Sequence, residues 1–108
     1  MLTIKTDTGI IINNAFDVKM GADELDHIDV FTESGKETVD LIGVELTITS
    51  DDGQANMTTY SHDVTDRVYG DVKEIKLDGT HPGTLQVNTN GTVDYIQLWP
   101  DISWNLVK

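Results

Sequence analysis

The 108-residue chain has no cysteine, two prolines, few aromatics and few bases. Without cysteine there can be no disulfide and no thiolate metal centre, and nothing marks an oxidising or a reducing compartment. Seven Lys and Arg against nineteen Asp and Glu leave a formal net charge of −12. That balance argues against direct binding of nucleic acid, whose phosphates are met by Lys and Arg, and against docking on anionic membranes. Phe, Tyr and Trp make up 6% of the residues, too few for a platform on which bases stack. The longest nearly apolar run, residues 39–46, is broken by Asp40 and Glu45 and falls far short of a membrane span. Met1 to Thr6 show no cationic stretch followed by an apolar one, so a cytoplasmic protein is expected.

The charge that is present is concentrated. Asp17, Asp23, Glu24, Asp26, Asp29, Glu33, Glu37, Asp40, Glu45, Asp51 and Asp52 share residues 17–52 with only Lys19 and Lys36, placing −9 of the −12 in a third of the chain. Like charges repel, and with so few lysines nearby neither i,i+4 nor cross-strand pairing relieves them. The segment is therefore expected to form an acidic face that meets a basic protein surface, if it is more than a solvated exterior.

Short β-branched runs recur between turn clusters, which predicts a single all-β domain with no internal repeat and no linker. Residues 2–6 and 10–14 flank Asp7-Thr8-Gly9, a hairpin turn. Residues 27–33, 37–49, 55–61 and 72–77 follow as strands. Residues 84–89 and 92–99 are joined by Asn90-Gly91, the strongest hairpin signal in the chain, and residues 102–107 close it. About eight short antiparallel strands read as a sandwich or a barrel. Asp40 breaks the apolar face of the 37–49 run and should sit at a solvated strand end or a bulge. Residues 22–33 have a second solution, a short helix with Leu25, Ile28 and Phe31 inward. Val30, Phe31 and Thr32 favour strand over its latter half.

Motifs of catalysis are scarce. Asp7-Thr8-Gly9 is similar to the triplet of retroviral-type aspartic proteases, which would imply a dyad of two such Asp from two chains. The flanks depart from that pattern: Lys5-Thr6 precede the triplet where apolar residues belong, Ile10 follows where a small one belongs, and Leu41-Ile42-Gly43 comes too early. A hairpin turn accounts for the three residues by itself. His27 with Asp26 and Asp29, and His62 with Asp63 and Asp66, offer nitrogen and oxygen donors without the spacing of a known metal motif. No nucleophile elbow, P-loop or dinucleotide fingerprint is present, so neither an enzyme nor a cofactor is expected.

The reading that results is a non-enzymatic interaction protein docking on a basic partner through the acidic residues. One form of it is a nucleic-acid mimic inhibiting a nuclease or a DNA-binding protein, in the manner of small viral anti-defence proteins. The alternative is a structural or adhesive β-module, or a carbohydrate-binding domain that uses Tyr95, Trp99 and Trp104 as an exposed aromatic strip.

Overall fold

Alternation along each short run decides which side chains turn inward. In Leu2–Thr6 (β1) Leu2 and Ile4 are buried, and in Glu45–Ser50 (β6) Leu46 and Ile48 are. Polar residues alternate with them on the outer face. The computed structural model describes every residue except Pro82, Trp99 and Pro100. It shows twelve strands in two antiparallel six-stranded sheets that close on one apolar core.

After β1 come Ile11–Ala15 (β2), Asp17–Met20 (β3), His27–Thr32 (β4) and Gly35–Asp40 (β5), then β6. Ala55–Ser61 (β7), Val64–Val72 (β8), Glu74–Asp78 (β9), Thr84–Asn88 (β10), Val93–Gln97 (β11) and Ile102–Val107 (β12) follow. One sheet has the order β11-β10-β9-β6-β1-β2 and the other β5-β4-β3-β12-β7-β8. No helix of the described residues is long and apolar enough to cross a membrane.

The all-β class holds, with more strands than the eight the patterning suggests. The 37–49 run is two strands, not one. Asp40 ends β5 and its carboxylate accepts the Ile42 amide at 3.1 Å, Gly43 takes a positive φ of 68°, and the chain crosses from one sheet to the other. Residues 21–26 form turns rather than a helix, and β4 begins at His27. β3 and β8 escape the pattern because β3 is only four residues long and β8 is an exposed edge with little apolar alternation. Val72 closes β8, so the following strand starts at Glu74.

Adding six to every strand number of the first sheet reproduces the order of the second: 11-10-9-6-1-2 becomes 5-4-3-12-7-8 once numbers above twelve wrap round. The strand pairings obey the same rule, and residue registers follow it. Val18↔Val30 and Ile28↔Val39 in one sheet match Ile75↔Val87 and Leu85↔Ile96 in the other, an offset of 57 residues. Loop hydrogen bonds repeat as well. Leu41 N–H to Asp26 O recurs as Leu98 N–H to Gly83 O, both 2.8 Å, and Phe16 N–H to Phe31 O (3.0 Å) as Lys73 N–H to Asn88 O (2.8 Å). Even the left-handed bends coincide, at Asn14 (φ 60°) and Asp71 (φ 53°).

The molecule is thus a duplicated six-stranded unit with pseudo-two-fold symmetry, contrary to the expectation of no internal repeat. Both halves run the same way, so the axis lies along the strands and equivalent turns share one end. Trp104, 1% exposed, shows the relation in the core: it takes the place of Leu46 and donates its indole N–H to the Met20 sulfur at 3.2 Å.

A circular permutant tests this duplication. Ser50 N–H donates to Lys73 O at 2.9 Å, and its equivalent Lys108 N–H donates to Phe16 O at 3.2 Å. Hence Lys108 reaches Leu2 over the same span that residues 51–54 bridge between β6 and β7. Joining those ends with a turn of that length and opening the chain inside 51–54 should preserve the far-ultraviolet β spectrum. Stability should stay within about 1 kcal/mol, which is roughly 4–8 °C in Tm. An unfolded permutant would show the two spans are not equivalent.

Candidate functional site

The pseudo-axis gathers alternate connections at one end of the sandwich. These are the β1–β2 turn, residues 21–26, residues 41–44, the β7–β8 turn and the connections after β9 and β11. In these turns, or at the strand ends bordering them, stand Asp7, Asp23, Glu24, Asp26, Asp40, Glu45, Asp63, Asp78 and Asp101, together with all three histidines. None of the described turn residues there is Lys or Arg. This loop end is the strongest concentration of one charge sign on the protein.

Its composition differs from the acidic face expected of residues 17–52. Asp23, Glu24, Asp26, Asp40 and Glu45 belong to the loop end. Asp17 and Asp29 project from the outer face of the β3–β4 sheet. Glu33, Glu37, Asp51 and Asp52 lie on or near the β4–β5 and β6–β7 turns towards the opposite end. The contiguous segment splits because its strands run back and forth, sending alternate turns to opposite ends. Asp7, Asp63, Asp78 and Asp101 join from elsewhere in the sequence. Finding them needed the strand order, since each is an ordinary turn residue when read alone.

Most of these carboxylates are engaged locally. Asp7 Oδ1 accepts the Glu45 amide at 3.1 Å and stands exposed in its turn, fastening β6 to the first hairpin. Asp78 Oδ1 accepts the Thr80 amide at 2.9 Å and the Thr80 hydroxyl at 2.8 Å, and these bonds hold its carboxyl below the usual range. Each histidine has an acid beside it: His27 to Asp26 at 2.9 Å, His62 to Asp101 at 3.5 Å and His81 to Asp78 at 3.5 Å. Hydrogen bonding to Asp26 raises the His27 pKa above its ordinary value, with Glu24 and Asp29 adding to the pull, and the same bond lowers that of Asp26. Among the described residues no three His, Asp or Glu side chains converge as a metal centre requires. Of the His62 and Asp66 pair expected from the sequence, Asp66 accepts from the buried Thr59 hydroxyl at 3.4 Å and His62 lies 3.5 Å from Asp101.

Exposed apolar side chains stand among these charges. Ile42 is 72% exposed and Val64 68%. Leu25, Asp26, Leu41, Ile42 and Gly79 enclose a small hollow of about 250 Å³ between the turns.

Two larger grooves indent the outer faces of the sheets just below the loop end. One, of about 330 Å³, is lined by Glu45, Thr47, Lys76, Asp78, His81, Thr84, Gln86 and Tyr95, with Leu46 and Leu77. The other, of about 510 Å³, is lined by Lys19, Gly21, Glu24, Asp29, Tyr60, Asp63, Ser103 and Asn105, with Met20 and Trp104. Of the aromatic strip expected from the sequence, Tyr95 is 69% exposed on a sheet face, whereas Trp104 is buried in the core. Trp99 lies outside the described residues. Alternation places Trp104 inward because Ser103 and Asn105 take the outer positions of β12.

No protein-family model matches the sequence, and no curated protein or solved structure shows significant similarity to it. Fold and surface alone therefore define the class: a duplicated antiparallel β-sandwich with an acidic loop end.

The Asp26–His27 pair makes a prediction about pH. With its folded pKa raised, His27 adds stability that is fully present below its unfolded pKa and is lost as pH rises through the folded value. Asp26, with its pKa lowered, contributes above its unfolded pKa and loses that contribution as pH falls through the lowered value. In an NMR titration His27 should titrate above about 6.5, and Asp26→Asn should move it back towards that value. No change on substitution would mean the pair is not formed.

Proposed function

We propose that the chain is a non-enzymatic interaction protein whose loop end docks on a basic protein surface. The observation that carries this reading is the assembly of nine carboxylates from six separate connections at one end, without a lysine or arginine in those turns. A solvated exterior has no need to sort its charges this way, and the field of such an end speeds encounter with a positive surface. Exposed Ile42 and Val64 supply apolar contact amid the charge, as protein interfaces do. Surfaces that bind nucleic acid are the most basic a cell offers. A nuclease or DNA-binding protein is accordingly the partner class we infer, with the carboxylates standing where phosphates would.

Tyr95, exposed beside Thr84 and Gln86, favours a second reading as a saccharide-binding module. Stacking of a sugar ring on Tyr95 would tolerate salt, whereas carboxylate docking would not.

Affinity for a purified arginine-rich peptide, followed by calorimetry, separates the two. Between 50 and 300 mM NaCl it should fall by about tenfold or more. Asp23, Asp26 and Asp40 replaced together by Asn should weaken it by a similar factor. The control replacement of Glu33 and Glu37 by Gln with Asp71 by Asn, away from the loop end, should change it little. Equal effects of the two triple variants would reduce the loop end to bulk charge, and binding confined to neutral oligosaccharides would favour the second reading.

A further inference from the structure

The chain passes between its two repeated units only once. β1 to β6 make up the first unit and β7 to β12 the second, and residues 51–54 are the whole of the link. The surface the units share is far larger than that link. Two ladders join them, five residue pairs between β6 and β9 and four between β3 and β12. Behind the ladders the apolar faces meet, with Leu46 opposite Leu77 and Trp104 opposite Met20, none more than 3% exposed. A unit taken alone leaves those side chains in water and the facing strand edges unpaired. The most complementary surface in the molecule is therefore the one each unit presents to the other.

A second copy of the chain presents that same surface. The two units are not interchangeable, because Trp104 stands where Leu46 does and the side chains opposite them differ accordingly. A first unit thus fits a second unit rather than another first one. We propose that two copies of the chain assemble reciprocally, the first unit of each completing the second unit of the other. The product is a dimer of two whole sandwiches, the commonest closed symmetry for identical chains. Every strand keeps its neighbours in it, and only residues 51–54 change conformation.

The link holds the single chain closed by local bonds. Asp52 Oδ1 accepts the Ser50 hydroxyl at 2.8 Å and the Gln54 amide at 3.0 Å, Gly53 takes a φ of 66°, and Asp51 lies 2.6 Å from the terminal amine. These favour the monomer when copies are dilute. During folding, however, a second copy competes with a tethered unit whose effective concentration is on the order of millimolar. The link leaves the sandwich at the end where Lys73 and Lys108 stand, away from the loop end. Joining there keeps the two acidic loop ends apart, so like charges are spared close approach. The dimer needs no basic partner and goes beyond the docking reading.

The test refolds the whole chain from denaturant and measures mass by light scattering. Refolding at about 1 µM should give monomer, and at about 1 mM a dimer fraction on the order of half, with the same far-ultraviolet spectrum. That dimer should persist on dilution, since its return requires a unit to come free. Removing residues 52–54 leaves two backbone steps from β6 to β7, a reach of about 7 Å. Packed sheets lie roughly 10 Å apart, so this variant should be a dimer at both concentrations. Full chains carrying Met20→Asp or Leu77→Asp, each with a charge in the core of one unit, should not fold alone. Refolded together they should regain about half the β signal in a species of dimer mass, because one of its two sandwiches is free of both charges. A wild-type chain that stays monomeric at the higher concentration would overturn the proposal. So would a wild-type dimer without recovery in that mixture, which is association through an exposed edge such as β8. If the shortened chain does not fold, the mixture still decides.

Discussion

Neither half of this chain can complete a sheet by itself. The meander β3–β4–β5 ends on the open edge of β3, and β9–β10–β11 ends on that of β9. Each edge is covered by the last strand of the other unit: β12 pairs with β3, and β6 with β9. Those two ladders satisfy backbone groups that would otherwise be left unpaired, and they bring the largest buried side chains together. Trp104 sits against Met20 in one ladder, and Leu46 against Leu77 in the other. Because β6 and β12 belong to opposite halves, neither sheet forms without both. The core, the loop end and the grooves all follow from that exchange.

The exchange also determines where charge can go. Strand direction is the same in equivalent elements, so six connections meet at one end and the remaining ones at the other. Turn chemistry already favours Asp at such positions, because a short carboxylate can accept the amide two residues on. Asp40 does this for Ile42 and Asp78 for Thr80 at the loop end, while Asp52 does it for Gln54 at the other end, at 3.1, 2.9 and 3.0 Å. Part of the acidity is therefore structural in origin. What turn chemistry does not explain is that none of the described loop-end turn residues is a lysine: exposed turns accept Lys readily, and Lys73 and Lys108 stand at the opposite end, with Lys36 one residue inside its strand there as Lys5 is at the loop end. The asymmetry in bases, more than the abundance of acids, is what supports the proposed docking role of the loop end.

Local features were readable from the residues. Hairpins at Asp7-Thr8-Gly9 and Asn90-Gly91 and the strands 2–6, 55–61 and 102–107 lie where alternation and turn residues place them. The duplication was not readable, for a physical reason. The strands β2–β5 pair in the same registers as β8–β11 at one offset, yet along the sequences 11–44 and 68–101 only Lys19/Lys76, Val30/Val87, Thr32/Thr89 and Leu41/Leu98 are identical. The clearest trace is the acid–aliphatic–Lys–aliphatic run of Asp17 to Met20 and Glu74 to Leu77. A core accepts any apolar side chain of suitable volume, and an outer face accepts almost any polar one. Symmetry therefore survives in backbone pairing long after it fades from the letters. The acidic site was half legible: Asp23, Glu24, Asp26, Asp40 and Glu45 could be named from charge density, but Asp7, Asp63, Asp78 and Asp101 are joined to them only by strand order.

Charge of this kind gives reach without much discrimination, since any basic surface is attracted to it and salt weakens the attraction. Discrimination has to come from groups whose positions matter at short range. Ile42, beside the hollow formed with Leu25 and Leu41, offers one exposed apolar group to the proposed docking, and Val64 another. They come from two different elements, the β5–β6 connection and the start of β8. The grooves differ in the same sense. His81 stands where Glu24 does, and Gln86 where Asp29 does, making one rim more acidic than the other. The Lys–acid pair, Lys19 with Asp17 and Lys76 with Glu74, recurs in both grooves, whereas no carboxylate among the equivalent lining residues of one groove is matched by a carboxylate in the other. The backbone form of each groove thus follows from the repeat, while the charge at its mouth comes from residues that the repeat does not share.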